Sequence, residues 1–276
     1  MTVLLALSAA FCYGLSDFVG GVASRRTSVW PVGLLACTGA LIGSTAIAMT
    51  STTRPGTDDV LWALLAGLGS GSGTAFLYRG LAAGRMGVVA PVSAVGAVLV
   101  PLAAGVGGGE RPSALGWVGI VLAVPGIWLV AREDASSGVT RAAGLLDGVL
   151  AGIGFGLLFA ALGQVSADAG YWPLVGTQGI AVLTMVAAAL LLGGDPVPRR
   201  RVDLLGLAAG LLASLAVLFF LLASNHGLLS IASVIASLYP AFTVLFAITV
   251  LHEQVRRAQV LGLVLCAATI VCISIG

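Results

Sequence analysis

The sequence predicts an all-α integral membrane protein with ten transmembrane helices, arranged as two inverted five-helix repeats. Three observations favour this class: apolar runs recur along the chain, nearly all charge lies in the linkers between them, and the second half repeats the first. Of the 276 residues, 59% are hydrophobic and 9% are charged. A soluble domain carries about 25% charged residues, so most of this surface is expected to face lipid.

The apolar runs each contain about 20 residues, which is the length that a helix needs to cross the hydrocarbon core. We place the spans at 3–23, 30–50, 60–80, 87–107, 112–131, 143–163, 172–193, 203–223, 230–250 and 257–275. Helices are expected because backbone polar groups in lipid must be satisfied within the segment. The first run has no basic leader and many runs follow it, so it is read as a membrane helix and not as a signal peptide.

Tryptophans mark the ends of these runs. All five lie in the first turns or near the end of a span: Trp30, Trp62, Trp117, Trp128 and Trp172. Tryptophan is enriched at the boundary between membrane and water, so this pattern supports the placement of the spans.

The chain repeats itself at a spacing of 142 or 143 residues. The equivalent pairs include Gly14 and Gly156, Trp30 and Trp172, Phe76 and Phe219, and Glu110 and Glu253. We therefore divide the chain into a first repeat, 1–134, and a second repeat, 143–276. Five spans per repeat is an odd number, so the second repeat is inserted upside down relative to the first. This plan is typical of secondary transporters, whose substrate site lies near the midplane between the repeats.

A family resemblance is carried by two segments at equivalent places. The run 233–242 (SVIASLYPAF), followed by 251–253 (LHE) and Gly262, resembles the signature of the EamA-type repeat in the drug/metabolite transporter superfamily. The first repeat is similar in 89–93 (VAPVS) and in 109–111 (GER). The resemblance implies a ten-helix basket whose central cavity is lined mainly by spans 1, 3, 4, 6, 8 and 9. It also implies export of amino acids, other metabolites or drugs, driven by an ion gradient or by exchange.

The first repeat departs from this signature at one place. It has Gly96 and Ala97 where the second repeat has Tyr239 and Pro240. The two repeats are therefore not expected to play equal roles.

A single acid lies within the first span. Tyr13, Ser16, Asp17 and Gly20 follow the spacing i, i+3, i+4, i+7 and share one face of a helix. A carboxylate at this depth costs a few kcal/mol unless it has a partner, water or a proton. The functional hypothesis is that Asp17 binds a coupling proton or a substrate amine, with Tyr13 and Ser16 as hydrogen-bond partners. The alternative is a structural acid that bonds a neighbouring helix or reaches the interface.

Arg79 lies near the end of the third span, on a polar face shared with Ser70, Thr74 and Tyr78. It either extends to the lipid headgroups or provides a fixed cation for a substrate carboxylate. If Arg79 faces inward, Asp17 and Arg79 together suit a zwitterion such as an amino acid.

The other candidates for substrate binding or coupling are polar residues of spans four, seven and nine: Ser93, Gln178, Ser233, Ser237 and Tyr239. Gln178 faces either the cavity or a neighbouring helix. The serines of span nine either line the cavity or allow close packing of helices.

Three prolines within spans four and nine are expected to break backbone hydrogen bonds and to bend these helices. We interpret Pro91, Pro101 and Pro240 as hinges for alternating access.

Acids in or near the linkers have a structural interpretation. Glu110 and Glu253 each precede a span, and we expect each to cap the helix that follows it. Asp147 is expected in the first turn of the sixth span, where the helix dipole favours an acid.

Several classes of function are disfavoured. An HExxH motif and clustered carboxylates are absent from the sequence, which argues against an enzyme. The glycines of 67–73 are not followed by Gly-Lys-Ser/Thr, so nucleotide binding is not expected, and the four cysteines show no metal-site spacing. We therefore expect neither cofactor nor metal. A net charge of +2 without a basic patch disfavours nucleic acid as a partner.

Three hypotheses for the function remain, and two of them are forms of transport. The first is a secondary exporter of small metabolites such as amino acids, and the second is proton-coupled efflux of hydrophobic cations, which needs Asp17 alone. The third is a membrane scaffold without transport, which would not need Asp17. The expected partners are a small-molecule substrate, the lipid bilayer, and protons or another coupling ion, with the chain a monomer or a homodimer.

The arginines predict an orientation. All 13 basic residues are arginine, and 11 of them lie in or beside odd-numbered linkers. The positive-inside rule then places these linkers in the cytoplasm and both termini outside, whereas the family resemblance implies cytoplasmic termini. We expect the membrane to be the inner membrane of a bacterium.

Overall fold

The protein is an all-helical bundle in the computed structural model, which describes residues 1–24, 26–82, 86–131, 141–252 and 256–275. The helices are α1 (Thr2–Ser24), α2 (Val29–Ala48), α3 (Thr57–Ala82), α4 (Met86–Gly107), α5 (Ala114–Ala131), α6 (Arg141–Leu162), α7 (Trp172–Leu191), α8 (Leu205–Asn225), α9 (Leu229–Ala236), α10 (Tyr239–Leu251) and α11 (Arg257–Ile275). Within the described residues, nine helical segments are long and apolar enough to cross a membrane, with α9 and α10 counted as one. The tenth span is α4, whose described apolar part is the shorter segment Val92–Gly107. The ten predicted spans are confirmed.

Span nine is broken near its middle. The α9 helix ends at Ala236, and α10 begins at Tyr239 with Pro240 in its first turn. Pro240 lacks an N–H group and cannot continue the hydrogen bonds of α9. The intervening turn is tight, because Leu238 donates its N–H to the carbonyl of Ile235 at 3.1 Å. The α4 helix, in contrast, continues through Pro101 without a break. The side chain of Pro91 lies outside the described part.

Helix packing follows the repeat. The α1 helix packs on α8 as α6 packs on α3, and α2 packs on α8 as α7 packs on α3. Likewise α1 packs on α9 and α10 as α6 packs on α4, and α5 packs on α11. Each contact is thus matched by the contact between the equivalent helices of the other repeat. Each repeat has five spans, which is an odd number, so equivalent helices run in opposite directions and the two repeats are inverted.

Glycines allow the repeats to approach closely. A Cβ atom on Gly69 would lie 2.6 Å from the carbonyl oxygen of Gly154, and one on Gly96 would lie 2.6 Å from the Cα of Gly152. Side chains at these positions would push α6 away from α3 and α4. The glycines of 67–73 thus serve helix packing.

The bundle has two ends, which we call the termini face and the arginine face. The termini face holds the start of α1 and the linkers 108–113, 163–171 and 226–228, and the arginine face holds the end of α1 and the linker 192–200. Four tryptophans are exposed near helix ends, but Trp30 is buried against Gly194 at the arginine face.

The prediction that Glu110 caps the helix that follows it, α5, is wrong. Its carboxylate does not cap α5, where Ser113 accepts the N–H of Gly116 at 2.9 Å. Instead, Glu110 accepts the N–H groups of Leu229 and Ser230 at 2.6 and 2.9 Å, at the start of α9 in the other repeat. The linker reaches the neighbouring repeat because α4 and α9 pack together. The equivalent acid, Glu253, lies outside the described residues.

Candidate functional site

A cavity lies between the two repeats, near the middle of the bundle. The cavity has a volume of about 120 Å³. One water occupies roughly 10–15 Å³ on the same scale, so the cavity has room for several waters or a small solute. Its polar lining residues are Tyr13, Ser16, Asp17, Cys37, Ser70, Thr74, Tyr78, Gln178 and Tyr239.

The helices around the cavity differ from those that the resemblance implied. The α2 helix contributes Ala36, Cys37 and Ala40, and α7 contributes Gln178. Among the described residues, none of α4 belongs to the lining. The α4 helix packs on α6, whereas α2 and α7 pack against each other.

Asp17 is exposed to this cavity. It lies about 22 Å along α1 from the termini face and about 10 Å from the arginine face, at 1.5 Å per residue. Among the described lining residues it is the one with a formal charge. The described lining therefore presents one carboxylate to a solute, and this carboxylate lies nearer the arginine face.

Contacts on both sides fix the rotation of α1. The hydroxyl of Ser16 donates to the carbonyl of Ala209 on α8 at 2.8 Å. On the other side, the hydroxyl of Thr243 donates to the carbonyl of Gly14 at 3.2 Å, and a Cβ on Gly14 would clash with Phe242. These contacts hold α1 with Asp17 towards the cavity. Ser16 thus orients the helix through Ala209, which differs from its predicted bond to Asp17.

Aromatic rings form the wall of the cavity towards the termini face. The ring of Tyr13 meets that of Phe159 edge-on at 5.8 Å and lies 6.2 Å from the ring of Tyr239. Phe159 also packs on Phe220, with ring centroids 4.5 Å apart. In the described structure, the hydroxyl of Tyr13 is buried and has no hydrogen-bond partner. Buried polar groups normally have a partner, and a bound water or solute would supply one.

Arg79 is not part of the described lining. Its Nε donates to Oδ1 of Asp147 on α6 at 2.8 Å, and its Nη2 also contacts this carboxylate. The guanidinium lies 4.9 Å from the ring centre of Phe76. Asp147 lies in the second turn of α6 and not in the predicted first turn. It is buried, and its charge balances that of Arg79.

The predicted serines of spans four and nine are buried in the packed core and do not belong to the described lining. Ser93 donates to the carbonyl of Ala90, and Ser233 donates to the carbonyl of Ser230, each at 3.0 Å. Ser237 is fully buried at the break of span nine. Gln178 and Tyr239, in contrast, both reach the cavity.

Comparison with known proteins gives the family. Residues 1–132 and 142–275 each match the EamA-like transporter family. The chain belongs to the EamA-like transporter family. It is therefore a multi-pass membrane transporter of the drug/metabolite transporter superfamily.

Solved structures show the same fold. One structure, titled only "Crystal structure of protein", is similar to this EamA-like transporter with a TM-score of 0.75 and 14% sequence identity. The similarity covers 99% of this chain and 96% of that chain. No curated protein matches the sequence.

Sequence analysis of this EamA-like transporter missed the apolar half of the cavity. Applying the repeat spacing to residues of the first repeat leads to lining residues of the second. The equivalent lining pairs are Tyr13 and Phe155, Ser16 and Leu158, Asp17 and Phe159, Ala36 and Gln178, Ser70 and Ala213, and Thr74 and Val217. The repeat itself was the signal that would have found them.

These pairs show that the cavity is symmetric in position but not in chemistry. In five of the six pairs, the first repeat supplies a polar side chain and the second an apolar one. Only Ala36 and Gln178 reverse this order. The first repeat thus supplies the carboxylate and most of the hydroxyl groups of the described lining. The second repeat supplies mostly hydrocarbon and aromatic rings, and we call its residues Phe155, Leu158, Phe159, Ala213 and Val217 the apolar wall.

Proposed function

We propose that this EamA-like transporter moves small amphipathic organic cations across the membrane by alternating access. The observation that carries the proposal is that Asp17, the one charged residue in the described lining, shares the cavity with the apolar wall of the second repeat. A carboxylate in a poorly hydrated site favours a cation or a proton as its partner. The apolar wall around Phe155 and Phe159 suits the hydrocarbon part of the same solute.

The tyrosines support a cationic group. Tyr13, Tyr78 and Tyr239 line the cavity together with Asp17. An aromatic face attracts a desolvated cation by about 0.5–2 kcal/mol. A solute amine would therefore gain both a carboxylate and aromatic neighbours.

The position of Arg79 makes an amino acid the weaker hypothesis. That hypothesis needs a fixed cation for the substrate carboxylate, and Arg79 is bound to Asp147 outside the described lining. A zwitterion in the cavity would bring its carboxylate near Asp17 without a compensating cation from the described lining. Like charges at close range are unfavourable.

Coupling follows from the same carboxylate. A carboxylate that binds a proton loses its charge, so a proton and a substrate cation compete for Asp17. If the cavity opens alternately to the two faces, this competition exchanges protons for substrate. The proposal therefore includes proton-coupled export across the inner membrane of a bacterium.

Binding of three matched compounds tests the substrate class. Phenethylamine is a cation, phenylalanine adds a carboxylate to it, and 3-phenylpropionate carries the carboxylate alone. We expect binding of phenethylamine to the purified transporter, measured by calorimetry, and far weaker binding of the other two.

Two variants distinguish a loss of binding at Asp17 from a general effect of removing an acid. Asp17→Asn is expected to weaken phenethylamine about 10- to 100-fold, which corresponds to the loss of one charged hydrogen bond. Asp168→Asn, which changes an exposed acid in a linker, is expected to have no effect. Phenylalanine binding as tightly as phenethylamine would support the amino-acid hypothesis, and equal binding by wild type and Asp17→Asn would overturn the role of Asp17.

A further inference from the structure

Glu110 connects the two repeats at the termini face. The residue follows α4 in the first repeat, and its two carboxylate oxygens accept the N–H groups of Leu229 and Ser230. These groups begin α9, in the second repeat. The first N–H groups of a helix have no partner within the helix, and the helix dipole favours a negative charge there. Both oxygens of one side chain are thus used between repeats.

The carboxylate has a closely fitted place. A Cβ atom on Gly105 of α4 would overlap Oε2 of Glu110 and would lie 2.8 Å from its Cδ. Gly107, two residues further along the same helix, has nothing within 4 Å of such an atom. Gly105 therefore leaves room for the Glu110 side chain to fold over the end of α4.

The surrounding packing closes this end of the bundle. Leu229 is buried and contacts the position of Gly163 at the end of α6, and the turn at Gly227 contacts Thr2 at the start of α1. Below them lies the aromatic wall of Tyr13 and Phe159. The start of α9 is therefore the point where α1, the linker after α6 and Glu110 meet above the cavity.

We propose that Glu110 is a positioning residue for transport, which holds the termini face closed by binding the start of α9. Opening this face must separate the end of α4 from the start of α9 and break both hydrogen bonds. Charged hydrogen bonds of this kind are stronger than neutral ones, yet each is a reversible contact. Glu110 thus sets the balance between the closed and open states of the termini face. The inference depends on the transport function but not on the identity of the substrate.

A native cysteine reports on the state of the cavity. Cys12, Cys37 and Cys266 are all buried, and of these three only Cys37 belongs to the described lining of the cavity. With Cys12, Cys266 and Cys272 changed to alanine, Cys37 is the single thiol. A charged methanethiosulfonate reagent that does not cross membranes is then added to the termini face or the arginine face of oriented vesicles, and the rate of labelling is measured for each face.

Two variants remove the contact in different ways. Glu110→Gln keeps the size of the side chain but removes its charge, and Gly105→Ala keeps the charge but displaces the carboxylate. We expect each to raise labelling from the termini face relative to the arginine face, by about 10-fold for Glu110→Gln. Gly107→Ala is the matched control and is expected to leave the ratio unchanged.

The outcomes are distinct. The measured quantity is the ratio of labelling rates from the termini face and the arginine face. If this ratio is the same in Glu110→Gln, Gly105→Ala and the control Gly107→Ala, the proposal is overturned. If Glu110→Gln fails to insert, Gly105→Ala decides, because it retains every charged group. A shifted ratio in a transporter that does not bind phenethylamine would support the role of Glu110 and reject the proposed substrate, since labelling needs no substrate.

Discussion

The guanidinium of Arg79 and the carboxylate of Asp147 join the third and sixth helices, one from each repeat. Asp147 is 1% exposed and Arg79 is 32% exposed, so the pair lies at the edge of the packed interior. Neither residue belongs to the described cavity lining. On the sequence alone, Arg79 is either a headgroup contact or a cation for a substrate carboxylate, and in the structure it joins the two repeats.

Arg79→Gln is therefore expected to lower stability more than substrate binding. A buried carboxylate that loses a charged donor costs about 1–3 kcal/mol. Thermal unfolding in detergent measures this change, with the exposed Arg54→Gln as the control. Affinity for phenethylamine is expected to stay within twofold of wild type. A stable Arg79→Gln protein with greatly altered affinity would place Arg79 in the substrate site.

The contact of α2 with α8 gives a second prediction. A Cβ atom on Gly210 would overlap the carbonyl oxygen of Ala36 and lie 2.6 Å from the N atom of Ala40. Gly210→Ala is expected to destabilise the protein by about 1–3 kcal/mol, as overpacking does elsewhere. Gly179→Ala is the matched control, because a Cβ on Gly179 meets nothing within 4 Å. Equal melting temperatures for the two variants would contradict the close approach of α2 and α8.

The break in span nine gives a third prediction, which concerns rate. Pro240→Ala restores an N–H group and allows α9 and α10 to join, which removes a bend beside the cavity residue Tyr239. We expect slower substrate exchange with little change in the dissociation constant. Pro101→Ala is the comparison, because α4 passes through Pro101 without a break. If both variants slow exchange equally, the break is not a hinge.

The apolar wall gives a fourth prediction. Ala213→Ser with Val217→Thr gives the second repeat hydroxyl groups like those of Ser70 and Thr74. The preference for phenethylamine over ethylamine, taken as a ratio of dissociation constants, is expected to fall, because the wall no longer favours hydrocarbon. Val264→Thr, on an exposed face of α11, controls for the added hydroxyl. An unchanged ratio would mean that the phenyl group lies elsewhere.

Local patterns in the sequence predicted what lies on one helix. The stripe of Tyr13, Ser16 and Asp17 follows from helical periodicity alone, and all three residues line the cavity. Pairing between distant residues did not follow from periodicity: Arg79 and Asp147 are 68 residues apart, and Glu110 and Leu229 are 119 apart. Both contacts depend on which helices of the two repeats are neighbours. The repeat spacing did contain part of this information, since it leads from Asp17 to Phe159.

The most direct test of the account is counterflow of labelled phenethylamine in proteoliposomes, with wild type, Asp17→Asn and Asp168→Asn compared at equal insertion. The account predicts exchange by wild type and Asp168→Asn, and its loss in Asp17→Asn, because the described lining then has no carboxylate for the amine. Exchange by Asp17→Asn at the wild-type rate would contradict the account and reduce Asp17 to a structural residue.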